Sequence, residues 1–206
     1  FMNCNLRYYS MFAVLAIGFS FFSACDKKAG KVVTVLKRME TNYSSLNTFR
    51  ADIRMEKFNA QLEETDVYEG RINYLKLKQR MPDVRIDWTK PVDESLTIVN
   101  KEVTLYRPRL GQALVGKIDQ PIVTSALKDW LDFLNKTKSE LKADLDFKHL
   151  GKQKLSNGSL TEHLEFTSKS AKKYKKIEFW TDKSGMVVQL KIIENNNDST
   201  TVSLTN

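Results

Sequence analysis

From Thr48 onward the chain alternates. In FRADIRM, residues 49–55, Phe49, Ala51, Ile53 and Met55 fall on one side of an extended backbone, and Arg50, Asp52 and Arg54 on the other. The same period of two predicts further strands over 67–77, 83–88, 95–100, 102–107, 145–154, 159–168, 175–181, 186–194 and 199–205. Hairpin-forming residues separate several of them: Asn100-Lys101, Asn157-Gly158, Asp182-Lys183-Ser184-Gly185 and Asn195-Asn196-Asn197-Asp198. So many strands joined by short turns make one mostly antiparallel sheet of roughly nine to eleven strands, and a sheet that large curls. The expected fold is mainly β with some α, a curved antiparallel sheet forming a barrel or half-barrel with helices on its concave side.

Two segments break the alternation. In KVVTVLKRMETNYS, residues 31–44, Val32, Leu36, Met39 and Tyr43 share one helical face. In TSALKDWLDFLN, residues 124–135, Leu127, Trp130, Leu131 and Leu134 do the same, with Thr124 or Ser125 as the cap. Between them lies MPDVRIDWTKP, residues 81–91, where Val84, Ile86 and Trp88 alternate with Arg85 and Asp87. Its prolines mark where a strand enters and leaves the sheet, with Ile86 and Trp88 on the concave side. The apolar content of 41% suffices for one core, and no repeat or linker divides residues 31–206.

The first 24 residues differ from the rest, carrying one basic residue, Arg7, and no acid. MFAVLAIGFSFF, residues 11–22, is a short apolar run, and residues 1–24 therefore read as a secretory signal. An uncleaved anchor counted from Tyr8 to Ala24 is the alternative. The signal ends in FSAC, residues 22–25, which resembles a bacterial lipobox with Phe22 where an aliphatic residue is usual. On this reading Cys25 is lipidated, residues 25–30 form a polar tether, and the protein faces the periplasm from a membrane anchor. Cys25 is then the one remaining cysteine, so no internal disulfide is available.

Nothing in the chain points to catalysis. His149 and His163 have neither metal-ligand spacing nor a neighbouring cysteine, and there is no phosphate-binding glycine loop or nucleophile elbow. No enzyme, cofactor or metal is expected. The net charge of +8, from 33 basic and 25 acidic residues, suits anionic partners such as lipid headgroups. Export to the envelope disfavours nucleic acid. The basic run SKSAKKYKK, residues 168–176, reads as a solvated loop, or as a patch that docks on a membrane surface.

Several segments, in order, resemble the LolA/LolB family of bacterial lipoprotein carriers: YSSLNTFRADI at 43–53, YEGRINY at 68–74, PDVRIDWTKP at 82–91, LTIVNKEVTLYRP at 96–108 and NNNDSTTVSLTN at 195–206. Met55 stands where the family usually has glutamine, and Asn100-Lys101 where it has an Asp-Gly turn. The slightly longer LKLKQRMP leaves Lys78 or Arg80 to match the arginine that latches the family's lid, and Arg80 is taken for its nearness to Pro82. The resemblance implies a half-open β-barrel under a helical lid, with acyl chains of lipoproteins or lipids bound between them.

The wall of that cavity would include Phe49, Ile53, Ile86, Trp88 and Leu105, and the lid Leu36, Met39, Leu127, Trp130 and Leu131. The alternative for every one of them is closed core, since aromatic and aliphatic stripes usually just pack. The implied function is a monomeric, periplasm-facing carrier or chaperone in lipoprotein sorting to the outer membrane, meeting membrane release or acceptor proteins. The alternative is a lipid- or lipoprotein-sensing regulator on the same fold. Such sensors usually carry a further domain, and the sheet here runs to Asn206.

Overall fold

The computed structural model describes residues 23–77, 81–118, 120, 139, 143, 145–168 and 174–205, with the backbone alone for 23–29 and 168. One helix, α1 (Ser23–Ser45), precedes eleven strands: β1 (Thr48–Asn59), β2 (Glu64–Leu75), β3 (Asp83–Lys90), β4 (Glu94–Val99), β5 (Glu102–Arg107), β6 (Gln112–Lys117), β7 (Leu145–Lys154), β8 (Leu160–Ser168), β9 (Tyr174–Thr181), β10 (Val187–Glu194) and β11 (Ser199–Thr205). The first 22 residues, the expected helix at 124–135 and Arg80 lie outside the described residues. Among the described residues no helix is long and apolar enough to cross a membrane.

All eleven strands form one antiparallel sheet in the order β6-β5-β4-β3-β2-β1-β11-β10-β9-β8-β7. The edge strands β6 and β7 do not pair with each other, so the sheet stays open. Each hairpin meander supplies one half, and β1 joins the halves by pairing with β11 from Asp52↔Thr205 to Phe58↔Ser199.

The alternation read in the sequence sorts the two faces. Ile53, Met55, Ile72, Ile86, Leu96, Ile98, Leu190, Phe179 and Leu164 are all buried on the inner face. Cross-strand partners there are apolar too: Ile72↔Ile86, Ile86↔Leu96, Val202↔Leu190 and Leu190↔Phe179. The outer face carries ion pairs instead, including Arg85–Asp87 at 2.8 Å and a Glu69 that bridges Arg54 and Lys90. Arg85 holds the Asp87 carboxyl below its ordinary range, helped by a 2.8 Å hydrogen bond from Ser95. These exposed pairs contribute little stability individually.

The helix begins eight residues before the expected Lys31. Apolar periodicity marks only the part of a helix that packs, and Val32 is the first residue of α1 with that period. Residues 25–30 continue the same helical backbone. Strand β6, QALVGK, was not expected at all. It is an edge strand whose residues are almost all exposed, so burial imposes no alternation on it. The Asn100-Lys101 turn between β4 and β5 is as expected, with both residues left-handed at φ 51° and 67°, the geometry of a two-residue type I′ hairpin.

Helix α1 lies on the inner face through Val32, Val35, Leu36 and Met39, which join the core of the sheet. Its backbone comes close to Gly185 in the β9–β10 turn. A Cβ there would stand 2.6 Å from the carbonyl carbon of Arg38, and φ is +93°. Two demands therefore fall on one residue, a left-handed backbone and no side chain.

Gly185→Ala is expected to cost roughly 2–4 kcal/mol in urea denaturation, from backbone strain plus displacement of the helix. Gly111→Ala, left-handed but facing open space, is expected to cost only about 1–2 kcal/mol. Lys101→Gly is expected to stabilise by about 0.5–1 kcal/mol, because glycine adopts the turn's left-handed φ without a Cβ clash.

Candidate functional site

The inner face has more apolar surface than one helix covers. Near the end of the sheet where β1 turns into β2, a cavity of about 350 Å³ opens between β1, β2, β3, β4, β5 and β11. Its wall is Ile53, Met55, Tyr68, Trp88, Leu96, Leu105 and Val202, with Pro91 and Val92 from the β3–β4 turn. Among the described residues none of α1 lines it. A volume of this size is at the lower end of ordinary ligand sites.

The wall is organised around Trp88. Its ring meets Tyr68 edge to face at 5.9 Å, the arrangement that the ring quadrupoles favour. Trp88 pairs in register with Gly70 of β2, where a bulge begins. A Cβ on Gly70 would stand 2.3 Å from the Asp87 carbonyl oxygen and 2.9 Å from the Trp88 Cα. Glycine is required here by the close approach of the two backbones, which sets Trp88 against the cavity.

Three charged residues also line the cavity: Lys57, Glu94 and Arg107. Arg107 Nε donates to Glu94 Oε1 at 2.8 Å, so this pair is internally compensated. The Lys57 ammonium sits 4.9 Å from the centroid of the Tyr68 ring. Desolvation by burial lowers the Lys57 pKa, and the nearby Asp66 carboxylate partly opposes this.

At the other end of the sheet α1 is tied down. Tyr43 Oη accepts a hydrogen bond from the Val187 backbone N–H at 3.1 Å, and burial raises the phenol pKa above its ordinary value. Lys76 Nζ donates to the carbonyl oxygens of Tyr43 and Ser44 at 2.6 and 3.2 Å. A cation at the last turn satisfies carbonyls that the helix leaves open and complements its dipole. Arg38 reaches the Lys183 carbonyl at 3.4 Å and Glu162 at 3.9 Å. Glu162 in turn meets the buried His149 at 2.7 Å.

The structure distributes the expected cavity residues unevenly. Ile53, Trp88 and Leu105 line the cavity together. Ile86, 0% exposed, is sealed in the core beneath it. Phe49 lies at the opposite end, stacked on Tyr74 at 4.8 Å between centroids. Leu36 and Met39 belong to the helix–sheet core. Leu127, Trp130, Leu131 and Arg80 are outside the described residues, and of Cys25 only its helical backbone is described. Among the described residues no group of three His, Cys, Asp or Glu could hold a metal.

Sequence reading missed Lys57, Tyr68, Glu94 and Arg107 as site residues. Strand parity carries the signal: Lys57 continues Ile53 and Met55, while Glu94 and Arg107 share the parity of Leu96 and Leu105. The cation of the helix latch, Lys76, lies two residues before the ambiguous Lys78, and carbonyl contacts of this kind leave no sequence pattern.

No protein-family model and no curated protein sequence matches the chain. Solved structures do. MucB matches with a TM-score of 0.57 at 14% identity over 86% of this chain and 58% of MucB, and the Pseudomonas aeruginosa MucA/MucB complex with 0.53, 14%, 85% and 56%. The chain thus spans little more than half of MucB. LprF from Mycobacterium bovis matches at 0.55 and 12% identity, over 87% of this chain and 93% of LprF. The Mycobacterium tuberculosis lipoprotein LppX matches at 0.50 and 10%, over 85% and 94%.

The fold is the open antiparallel half-barrel that MucB, LprF and LppX share. In this open sheet the anchored helix and the cavity occupy opposite ends of one inner face, so the helix can be held firmly without filling the pocket. Tyr43→Phe strands the Val187 N–H and is expected to cost about 1–3 kcal/mol in urea denaturation. Lys76→Met is expected to cost about 1 kcal/mol, through the same loosening of the α1 C-terminus.

Proposed function

We propose that this protein is an envelope lipid- or lipoprotein-binding protein that shelters acyl chains in the inner-face cavity. The observation that carries the reading is the cavity itself. An open sheet leaves Ile53, Met55, Trp88, Leu96 and Leu105 around about 350 Å³ of empty space that α1 does not fill. Hiding a methylene from water is worth about 0.8 kcal/mol, so a chain of roughly 16 carbons represents on the order of 10 kcal/mol. A binder must offer apolar surface on that scale, and no covalent chemistry is needed. The fold shared with the lipoprotein LppX and with LprF supports this reading.

In this proposal residues 1–24 direct export and Cys25 carries a lipid at the start of α1, holding the cavity near a membrane. An anchored protein suits local acceptance or chaperoning of lipid better than free shuttling. A second reading, a lipid-sensing regulator, is favoured by the likeness to MucB, which is solved in complex with a second protein, MucA. There the cavity would sense lipid and a protein partner would receive the signal.

Native mass spectrometry of the protein purified from membranes tests the binding reading. Co-purified lipid or lipoprotein is expected on the wild type and is expected to be lost on Trp88→Glu and Leu105→Glu in folded protein. Ile86 is unsuitable for this test, because a carboxylate at a fully buried site would unfold the sheet. Wild-type protein that is empty and takes up no acyl probe would refute the reading. Labelling with a palmitate analogue, lost on Cys25→Ala, tests the anchor.

A further inference from the structure

We propose that the cavity is selective for amphiphiles with one anionic head group, a carboxylate or a phosphate ester, and that Lys57 is the residue that receives it. The inference rests on the lipid-binding reading above and names the ligand class. A cavity meant only for neutral acyl chains gains nothing from a cation in its wall, since partial burial of a charge is unfavourable. Yet β1 turns Ile53, Met55 and then Lys57 to the same inner face, and all three line the cavity.

The charges of the wall do not cancel. Arg107 is neutralised by Glu94 at 2.8 Å. Among the described residues no carboxylate lies within ion-pair distance of Lys57. Its cross-strand partner Asp66 attracts it from an exposed position, and its ammonium faces the Tyr68 ring. The ring holds the ammonium over the pocket with donors to spare, because an ammonium has three N–H groups and the ring takes one side of it. A head-group oxyanion at this point would make a charge-assisted hydrogen bond in a partly desolvated setting, where such bonds are strongest.

The geometry also orders the ligand along the cavity. Lys57 and Arg107 come from the strand ends next to the β1–β2 and β5–β6 connections, whereas Ile53 and Leu96 are set further into the sheet, beside fully buried Ile86 and Ile72. The head group therefore stays at the wetter rim and the tail runs inward between Met55, Leu105 and Leu96. Such a site separates fatty acids and lysophosphatidic lipids from neutral glycerides and from the uncharged acyl-glyceryl group of a lipoprotein.

Isothermal titration of the folded, full chain with laurate, dodecyl phosphate and neutral 1-monolauroylglycerol, each below its aggregation concentration, provides the test. Wild type is expected to bind one or both anions about tenfold more tightly than the neutral ester. Which anion is favoured distinguishes a carboxylate from a phosphate ligand. Lys57→Met is expected to abolish the preference while leaving monolauroylglycerol affinity within about twofold, and Lys57→Arg to keep it. Glu94→Gln, which releases Arg107, is expected to increase it. Equal binding of all three probes by wild type, or a preference that survives Lys57→Met, overturns the inference and leaves the lipid-binding reading standing. A preference lowered equally by the surface control Lys101→Met also overturns it, since net charge would then be its source. Failure of all three probes to bind overturns both.

Discussion

The pairing of β1 with β11 is the contact on which the rest depends. Seven register pairs, Asp52↔Thr205 to Phe58↔Ser199, join a six-strand meander to a five-strand one. Without them each half would be a sheet with an apolar face and one more bare edge. With them, the inner residues of both halves become one continuous surface, and Met55, Val202, Leu190 and Phe179 form a single row across the seam. These contacts are far apart in sequence, so the fold is dominated by non-local pairing.

That continuous surface is divided between two tasks. On the side of β7 to β10, α1 covers it and is held by Tyr43, Asn42 and Arg38 through the β9–β10 turn. On the side of β1 to β5, at the far end, it is left as a cavity wall. Two glycines mark the division. Gly185 lets the helix approach the turn, and Gly70 lets β3 approach β2 so that Trp88 faces the empty space. Packing contacts are concentrated where the helix sits, and the open cavity lies where it does not.

Much of this was legible in the sequence, for a physical reason. Period-two patterning reports which face is buried, so the strands, the inward parity of Ile53, Ile86 and Trp88 and the Asn100-Lys101 turn could all be read from it. Patterning is silent where burial does not discriminate. It missed β6, an exposed edge, and it missed the first turns of α1, SACDKKAG, which carry no apolar period. It also could not rank residues of equal parity. Ile86 and Leu105 look alike in sequence and share one cross-strand row through Leu96, but Ile86 on the more central β3 is fully buried while Leu105, one strand from the β6 edge, lines the cavity. Lys57 does not stand out in the sequence, because a lysine near a strand end ordinarily snorkels to water. Its ring contact with Tyr68 exists only through the β1–β2 register.

The unpaired edges of β6 and β7 have a mechanical meaning. In a closed barrel the radius is set by strand number and shear, and widening it requires breaking a ring of hydrogen bonds. An open strip has no such ring. Its curvature can relax by small changes in twist at each of ten strand junctions, with every ladder intact. The girth of the space it encloses is thus an elastic variable and not a fixed dimension.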